Sequence, residues 1–154
     1  MLKVQIGGVL CVPFEFEVSA ADFCGDDFLE NGKLVGEIKI VGEVAKDDEN
    51  LKIRGKIFCQ RKFICDRCLN AAEEDQIHDF EEELDSGEIV DNFFDITDIV
   101  HDTLMISQPI KNLCKTDCRG LCPVCGKNLN EGSCECEKFI PDPRLADLQN
   151  FKPN

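Results

Sequence analysis

Six cysteines fall within the 23 residues from Cys114 to Cys136, and the polar residues between them cannot build a hydrophobic core. The stretch runs Cys114-Lys-Thr-Asp-Cys118-Arg-Gly-Leu-Cys122-Pro-Val-Cys125-Gly126, then continues to Cys134-Glu-Cys136. A Cys-x-x-Cys-Gly turn holds two sulfurs about one metal radius apart, and its small residues let backbone amides point at them. Zinc takes four such thiolates at about 2.3 Å in a tetrahedron. A segment this short and polar draws its folding energy from a bound ion. The spacing therefore predicts a metal-stabilised C-terminal lobe.

A second knuckle, Cys65-Asp-Arg-Cys68-Leu69, sits at the end of a strand-like run. It supplies half of a tetrahedral shell and needs two more ligands. A redox role fits poorly, because thioredoxin-type pairs open a helix after a strand and Asp66 would raise the thiol pKa. Cys65, Cys68, Cys114, Cys118, Cys122, Cys125, Cys134 and Cys136 suffice for two four-cysteine sites. Cys122 and Cys125 meet Cys134 and Cys136 by closing a short loop at low entropic cost. Cys65 and Cys68 then meet Cys114 and Cys118. One site built from four of the C-terminal six, with Cys65 and Cys68 left free, is the competing arrangement. Cys11, Cys24 and Cys59, in apolar or turn contexts, read as structural residues. His78 and His101 read as surface residues, since the thiols already supply enough ligands.

The first residues show no charged segment followed by an apolar run, and no stretch approaches the roughly 18 apolar residues of a membrane helix. The expectation is a cytoplasmic protein, where 11 cysteines serve better as metal ligands than as disulfides.

Period-two alternation marks the half-buried strands. Leu2, Val4 and Ile6 form one, and Val12, Phe14, Phe16 and Val18 another, with Gly7-Gly8 as turn or bulge. Ser19 can cap a short helical turn. Leu34–Val44, with Ile38, Ile40 and Val44 inward, pairs across the polar turn at residues 46–50 with a strand through Leu51, Ile53 and Ile57. Residues 76–84 are ambiguous: Ile77, Phe80 and Leu84 have helical spacing, yet strand is the reading adopted. Residues 96–107 predict a helix capped by Asp95 or Thr97 and stopped by Pro109. Asp142-Pro143 predicts a short C-terminal helix docked by Leu145 and Leu148. The expected fold is α+β: a largely antiparallel sheet with one or two helices and a cysteine-rich, zinc-stabilised C-terminal lobe. Residues 1–110 would form the mainly β domain and residues 111–154 the lobe.

The net charge of −14 is concentrated. Residues 68–110 hold 13 acidic groups and neither Lys nor Arg. Residues 51–67 run the other way, and Lys52, Arg54, Lys56, Arg61, Lys62 and Arg67 form a candidate RNA-contacting face.

Cys65-Asp-Arg-Cys-Leu69, a helix opening Asp95-Ile-Thr-Asp-Ile-Val, the block Cys114 to Asn130 and Asp142-Pro-Arg-Leu145 together resemble the YceD-like family of large ribosomal RNA subunit accumulation proteins. The resemblance spans about residues 50–148 and is most specific in the C-terminal block. It implies a bacterial or plastid non-enzyme needed for normal amounts of large-subunit (23S) ribosomal RNA and linked to a ribosomal protein of that subunit. Wholesale RNA wrapping is disfavoured, because net negative charge repels phosphate. The acidic block suits a basic ribosomal protein as partner. The second reading is a rubredoxin-like electron carrier, with iron in place of zinc within Leu121-Cys-Pro-Val-Cys-Gly126. A cysteine hydrolase has little support, since no thiol sits in an obvious activating context.

Overall fold

A computed structural model describes residues 1–6, 11–25, 32–47, 50–84 and 92–137, together with Asp142 and Arg144. Its elements in chain order are β1 (Lys3–Gln5), β2 (Cys11–Ser19), α1 (Ala20–Cys24), β3 (Gly32–Asp47), β4 (Asn50–Ile64), β5 (Ala71–Leu84), β6 (Phe93–Asp95) and α2 (Thr97–Ile106). Strands β2, β3, β4 and β5 form an antiparallel sheet in that order, and β1 pairs with β6. The class is α+β.

Alternation makes the sheet one-sided. Ile38, Ile40 and Val44 of β3 and Ile53 and Ile57 of β4 are buried, while the residues between them face solvent or lie part-buried. Across that inner face lie Leu2, Val4, Phe94, Ile96, and Val100 and Leu104 of α2, all in one cluster. Val100 and Leu104 lie one turn apart on the buried stripe of α2, as a helix packed on a sheet requires. The N-cap position of α2 falls on Ile96, with no side-chain cap bond, rather than on Asp95 or Thr97. Asp95, one residue earlier, fastens the start, its Oδ1 accepting from the Thr97 amide at 3.0 Å and from the Leu2 amide at 3.3 Å. One carboxylate thus satisfies a helix amide left free by α-helical geometry and also ties down β1.

A row of four residues crosses the sheet at Phe14, Gly42, Gly55 and Phe80. The two outer rings lie over the two inner glycines. A Cβ on Gly42 would come within 2.6 Å of the Phe14 ring, and one on Gly55 within 2.6 Å of the Phe80 ring. The glycines leave room for rings that no longer side chain would permit.

The charged run of β4 meets the acidic run of β5. Ion pairs join Lys52 to Glu83 (3.3 Å), Lys56 to Asp79 (2.6 Å) and Lys62 to Glu73 (2.7 Å). Composition alone left residues 76–84 ambiguous, and this complementary pairing explains why an acid-rich segment forms a strand that begins as early as Ala71.

Further local expectations change. The β3–β4 hairpin is tighter than a five-residue turn, for Asp47 already pairs with Asn50. Ser19 occupies the cap position of α1 without a side-chain cap bond. Cys11 is exposed, its Sγ 3.2 Å from Glu43 Oε2, rather than packed. His78 and His101 are both half-buried rather than surface residues, and the His101 ring lies 4.5 Å from that of Phe23. Gly7-Gly8 and the body of the expected C-terminal helix lie outside the described residues. Of that helix, only a bond from the Arg144 amide to Asp142 Oδ1, at 2.9 Å, is described.

Candidate metal centres

Where β4 ends, the chain turns sharply at Cys65. The Cys65 amide donates to Asn70 O at 2.9 Å, and the Leu69 amide donates back to Cys65 O at 2.9 Å. The knuckle at Cys122 repeats this frame: its amide donates to Lys127 O at 2.8 Å, and the Gly126 amide donates to Cys122 O at 2.9 Å. In each knuckle the residue after the second cysteine has positive φ, 59° at Leu69 and 71° at Gly126. Glycine adopts that conformation freely, whereas leucine does so at a cost of about 1–2 kcal/mol. The two turns are one backbone device built twice from different residues.

The frame aims amides at sulfur. Burial pushes the Cys65 thiol up, but amides of Cys114, Cys68 and Arg67 together outweigh it and bring the thiol to about 6. Amides of Cys125 and Val124 bring Cys122 to about 6 as well. Such sulfurs favour the thiolate form, which is the form that binds a cation. The Asn130 side-chain amide adds a contact to Cys118 Sγ at 3.4 Å.

The structure brings Cys65, Cys68, Cys114 and Cys118 into one group, and Cys122, Cys125, Cys134 and Cys136 into another. Within each group all four sulfurs lie within 4.8 Å of one another. Cys65 and Cys118 are 3.8 Å apart, and Cys68 and Cys114 are 3.6 Å apart. A tetrahedron with arms of about 2.3 Å has edges of about 3.8 Å, whereas a disulfide would close to about 2.05 Å. Each group could hold a metal ion. In the first, Cys65, Cys68 and Cys118 are buried and Leu113 and Leu121 pack around them. The second is more open, with Cys122 buried and Cys125 exposed. Cys24 and Cys59 stand apart from both groups, and burial pushes each thiol up to about 11.

The first group is also the joint between sheet and lobe. Asp66 and Asn112 exchange hydrogen bonds: the Asp66 amide donates to Asn112 O at 2.8 Å, and the Asn112 amide donates to Asp66 Oδ2 at 2.7 Å. Asn112 Oδ1 accepts from Arg61 Nη1 at 2.9 Å. Arg61 donates also to Gln108 at 3.1 Å and to Glu74 at 2.7 Å, and its guanidinium lies 4.5 Å over the Phe63 ring. On the far side, Arg67 Nη1 donates to Cys118 O at 2.9 Å, and Arg67 O accepts from the Leu121 amide at 3.1 Å. A Cβ on Gly120 would come within 2.9 Å of Arg67 O, so the link from Cys118 to Cys122 passes the first knuckle at a distance only glycine allows.

These contacts account for the basic face. Arg61 is only 3% exposed, Arg67 is bonded to the lobe, and Arg54 pairs with Glu43. Lys52, Lys56 and Lys62 each face an acid of β5 across the sheet. Sequence reading missed the internal role of Arg61; its place among the inward positions of β4, between Cys59 and Phe63, was the available signal.

Comparison with known proteins bears on the same segment. The family model described as large ribosomal RNA subunit accumulation protein YceD matches residues 70–152, more than half of the chain. A relative in Arabidopsis thaliana, called large ribosomal RNA subunit accumulation protein YCED homolog 1, chloroplastic, is 31% identical over 58 residues. Those residues are 38% of this chain and 18% of the relative. An uncharacterized Mycobacterium tuberculosis protein is 36% identical over 67 residues, 44% of this chain and 32% of that protein; a Mycobacterium bovis protein gives the same figures. The chain spans no more than about a third of the length of these curated relatives. No solved structure matches. The matched segment holds the whole second sulfur group but only Cys114 and Cys118 of the first.

Proposed function

This chain belongs to the YceD family of large ribosomal RNA subunit accumulation proteins, and on that premise we propose that it is a non-catalytic ribosome-biogenesis factor. It supports accumulation of large-subunit (23S) ribosomal RNA in the cytoplasm by binding a basic ribosomal protein. The family match over residues 70–152 is the observation that carries the reading. Charge favours a protein partner over naked RNA. Lys52, Arg54, Lys56, Arg61 and Lys62 each have a carboxylate partner, which lowers the positive potential that phosphate would meet there.

Zinc is the ion proposed for both sulfur groups, with Cys65, Cys68, Cys114 and Cys118 as one ligand set and Cys122, Cys125, Cys134 and Cys136 as the other. All-sulfur tetrahedral shells with no open coordination position are structural zinc sites. The chemistry the ion supplies is cross-linking, which orders a lobe that has few buried side chains of its own. We retain residues 1–110 and 111–154 as the two units, stitched together by the first ligand set. Iron in the same shells would instead make an electron carrier, and visible absorption separates the two.

Depletion in growing cells, with quantification of both ribosomal RNAs, tests the function. The expected result is a fall in large-subunit RNA relative to small-subunit RNA, with a basic large-subunit protein recovered on the affinity-purified chain. Unchanged RNA levels, or recovery of RNA alone, would overturn it.

A further inference from the structure

We propose that the groove between β5 and α2 receives an extended, lysine- or arginine-rich segment of a protein partner, which adds as a strand to the outer edge of β5, an edge unpaired among the described residues. The inference rests on the reading of a basic protein partner and gives that partner a place on the molecule.

Strand β5 is the last in its sheet. Its inner edge is paired with β4 along its whole length, and among the described residues no backbone bond reaches its outer edge. A groove of about 660 Å³ runs there, with the consecutive residues Asp79 to Glu83 as one wall and α2 as the other. A strand edge forming a wall offers a row of amides and carbonyls to an extended chain. Five residues of strand present about 16 Å, at roughly 3.3 Å per residue.

The groove's side chains specify the occupant. Its apolar part is made by Phe80, Phe94, Ile99 and Ile106, and Ile106 is 84% exposed. Its rim carries exposed Glu81, Glu82, Asp98 and Asp102, and neither Lys nor Arg is among its described lining residues. In an added strand alternate side chains point the same way, so apolar anchors can reach the floor while cations meet the rim. A second copy of this chain, offering the same edge, would set acid against acid. RNA phosphates meet the same repulsion.

The test uses the full, metal-loaded chain and a fluorescein-labelled peptide of alternating lysine and valine, read by anisotropy. Saturable binding is expected. The Glu82→Lys/Asp102→Lys double variant should weaken it about tenfold, and N-methylation of alternate peptide amides should do likewise. Glu15→Lys/Glu17→Lys makes the same charge change on β2 at the opposite edge, and should leave affinity within about twofold. Thermal melts establish that both variants are folded. Equal losses from the two double variants would reduce the effect to bulk charge and overturn the groove. Indifference to N-methylation would overturn strand addition. Tighter binding of a labelled RNA oligonucleotide with the same variant dependence would overturn the partner class. The titration needs no ribosome, so its failure leaves the ribosomal reading standing. Normal RNA levels in depleted cells would remove that reading and leave the groove.

Discussion

Arg61 is the residue on which most separate contacts converge. A guanidinium offers a planar fork, and here it serves Gln108, Asn112 and Glu74 while stacked on Phe63. Arg61→Ala would leave the buried Asn112 Oδ1 without its Arg61 donor and unstack Phe63, and is expected to cost about 2–3 kcal/mol in chemical denaturation. Arg61→Lys would recover little, because an ammonium cannot span three acceptors in one plane. A lysine variant as stable as the native chain would contradict this account of the joint. Leu69 gives the opposite expectation. Its positive φ is one that glycine holds without strain at the equivalent Gly126, so Leu69→Gly should keep or raise stability, by up to about 1 kcal/mol. A clear fall in melting temperature would mean that the exposed leucine side chain makes a stabilising contact.

At the scale of elements, the β4–β5 pairing is held by packing more than by charge. Each exposed cross-strand ion pair is worth less than about 1 kcal/mol, so Lys56→Ala or Lys62→Ala should shift a denaturation midpoint only slightly. Gly55→Val should cost about 2–3 kcal/mol, because its side chain would displace the Phe80 ring; a near-neutral effect in denaturant melts would show that the ring is free to move. The strands of the β3–β4 hairpin were legible because Ile38, Ile40, Ile53 and Ile57 alternate with polar residues and one face is dry. The α2 helix was legible from Ile96, Val100 and Leu104. Strand β5 was only half legible, since its acids are explained by the bases across from them on β4 rather than by its own pattern. Strand β6 has three residues and no periodicity to read. The cysteines grouped themselves by spacing, but the part of Arg61 and Asn112 in joining sheet to lobe depends on contacts 51 residues apart in the chain.

For the whole molecule, an acidic one-faced sheet is joined to a lobe whose order comes from sulfur. Acidification tests the coupling. Without a cation the Cys65 and Cys122 thiols sit near 6, below the ordinary value of 9.0. Cys114 is pushed up to about 12 by burial and the sulfurs beside it, and Cys136 to about 12 by the Cys125 sulfur and burial. In the metal-free chain the stabilisation that Cys65 and Cys122 give is full above 9.0 and is lost as pH falls through about 6. Protons also compete with the cation for all eight thiolates, so metal release and loss of lobe structure should precede unfolding of the sheet as pH falls, followed by amide signals of residues 112–137 against those of β3 and β4. Simultaneous loss would mean that lobe and sheet do not melt separately. The most direct measurement of the central claim is metal content with thiol counting on the purified native chain. The account predicts two zinc ions per chain and no visible colour. Cys65, Cys68, Cys114, Cys118, Cys122, Cys125, Cys134 and Cys136 should resist alkylation until a chelator is added. A folded chain carrying no metal, with those eight thiols freely reactive, would contradict it.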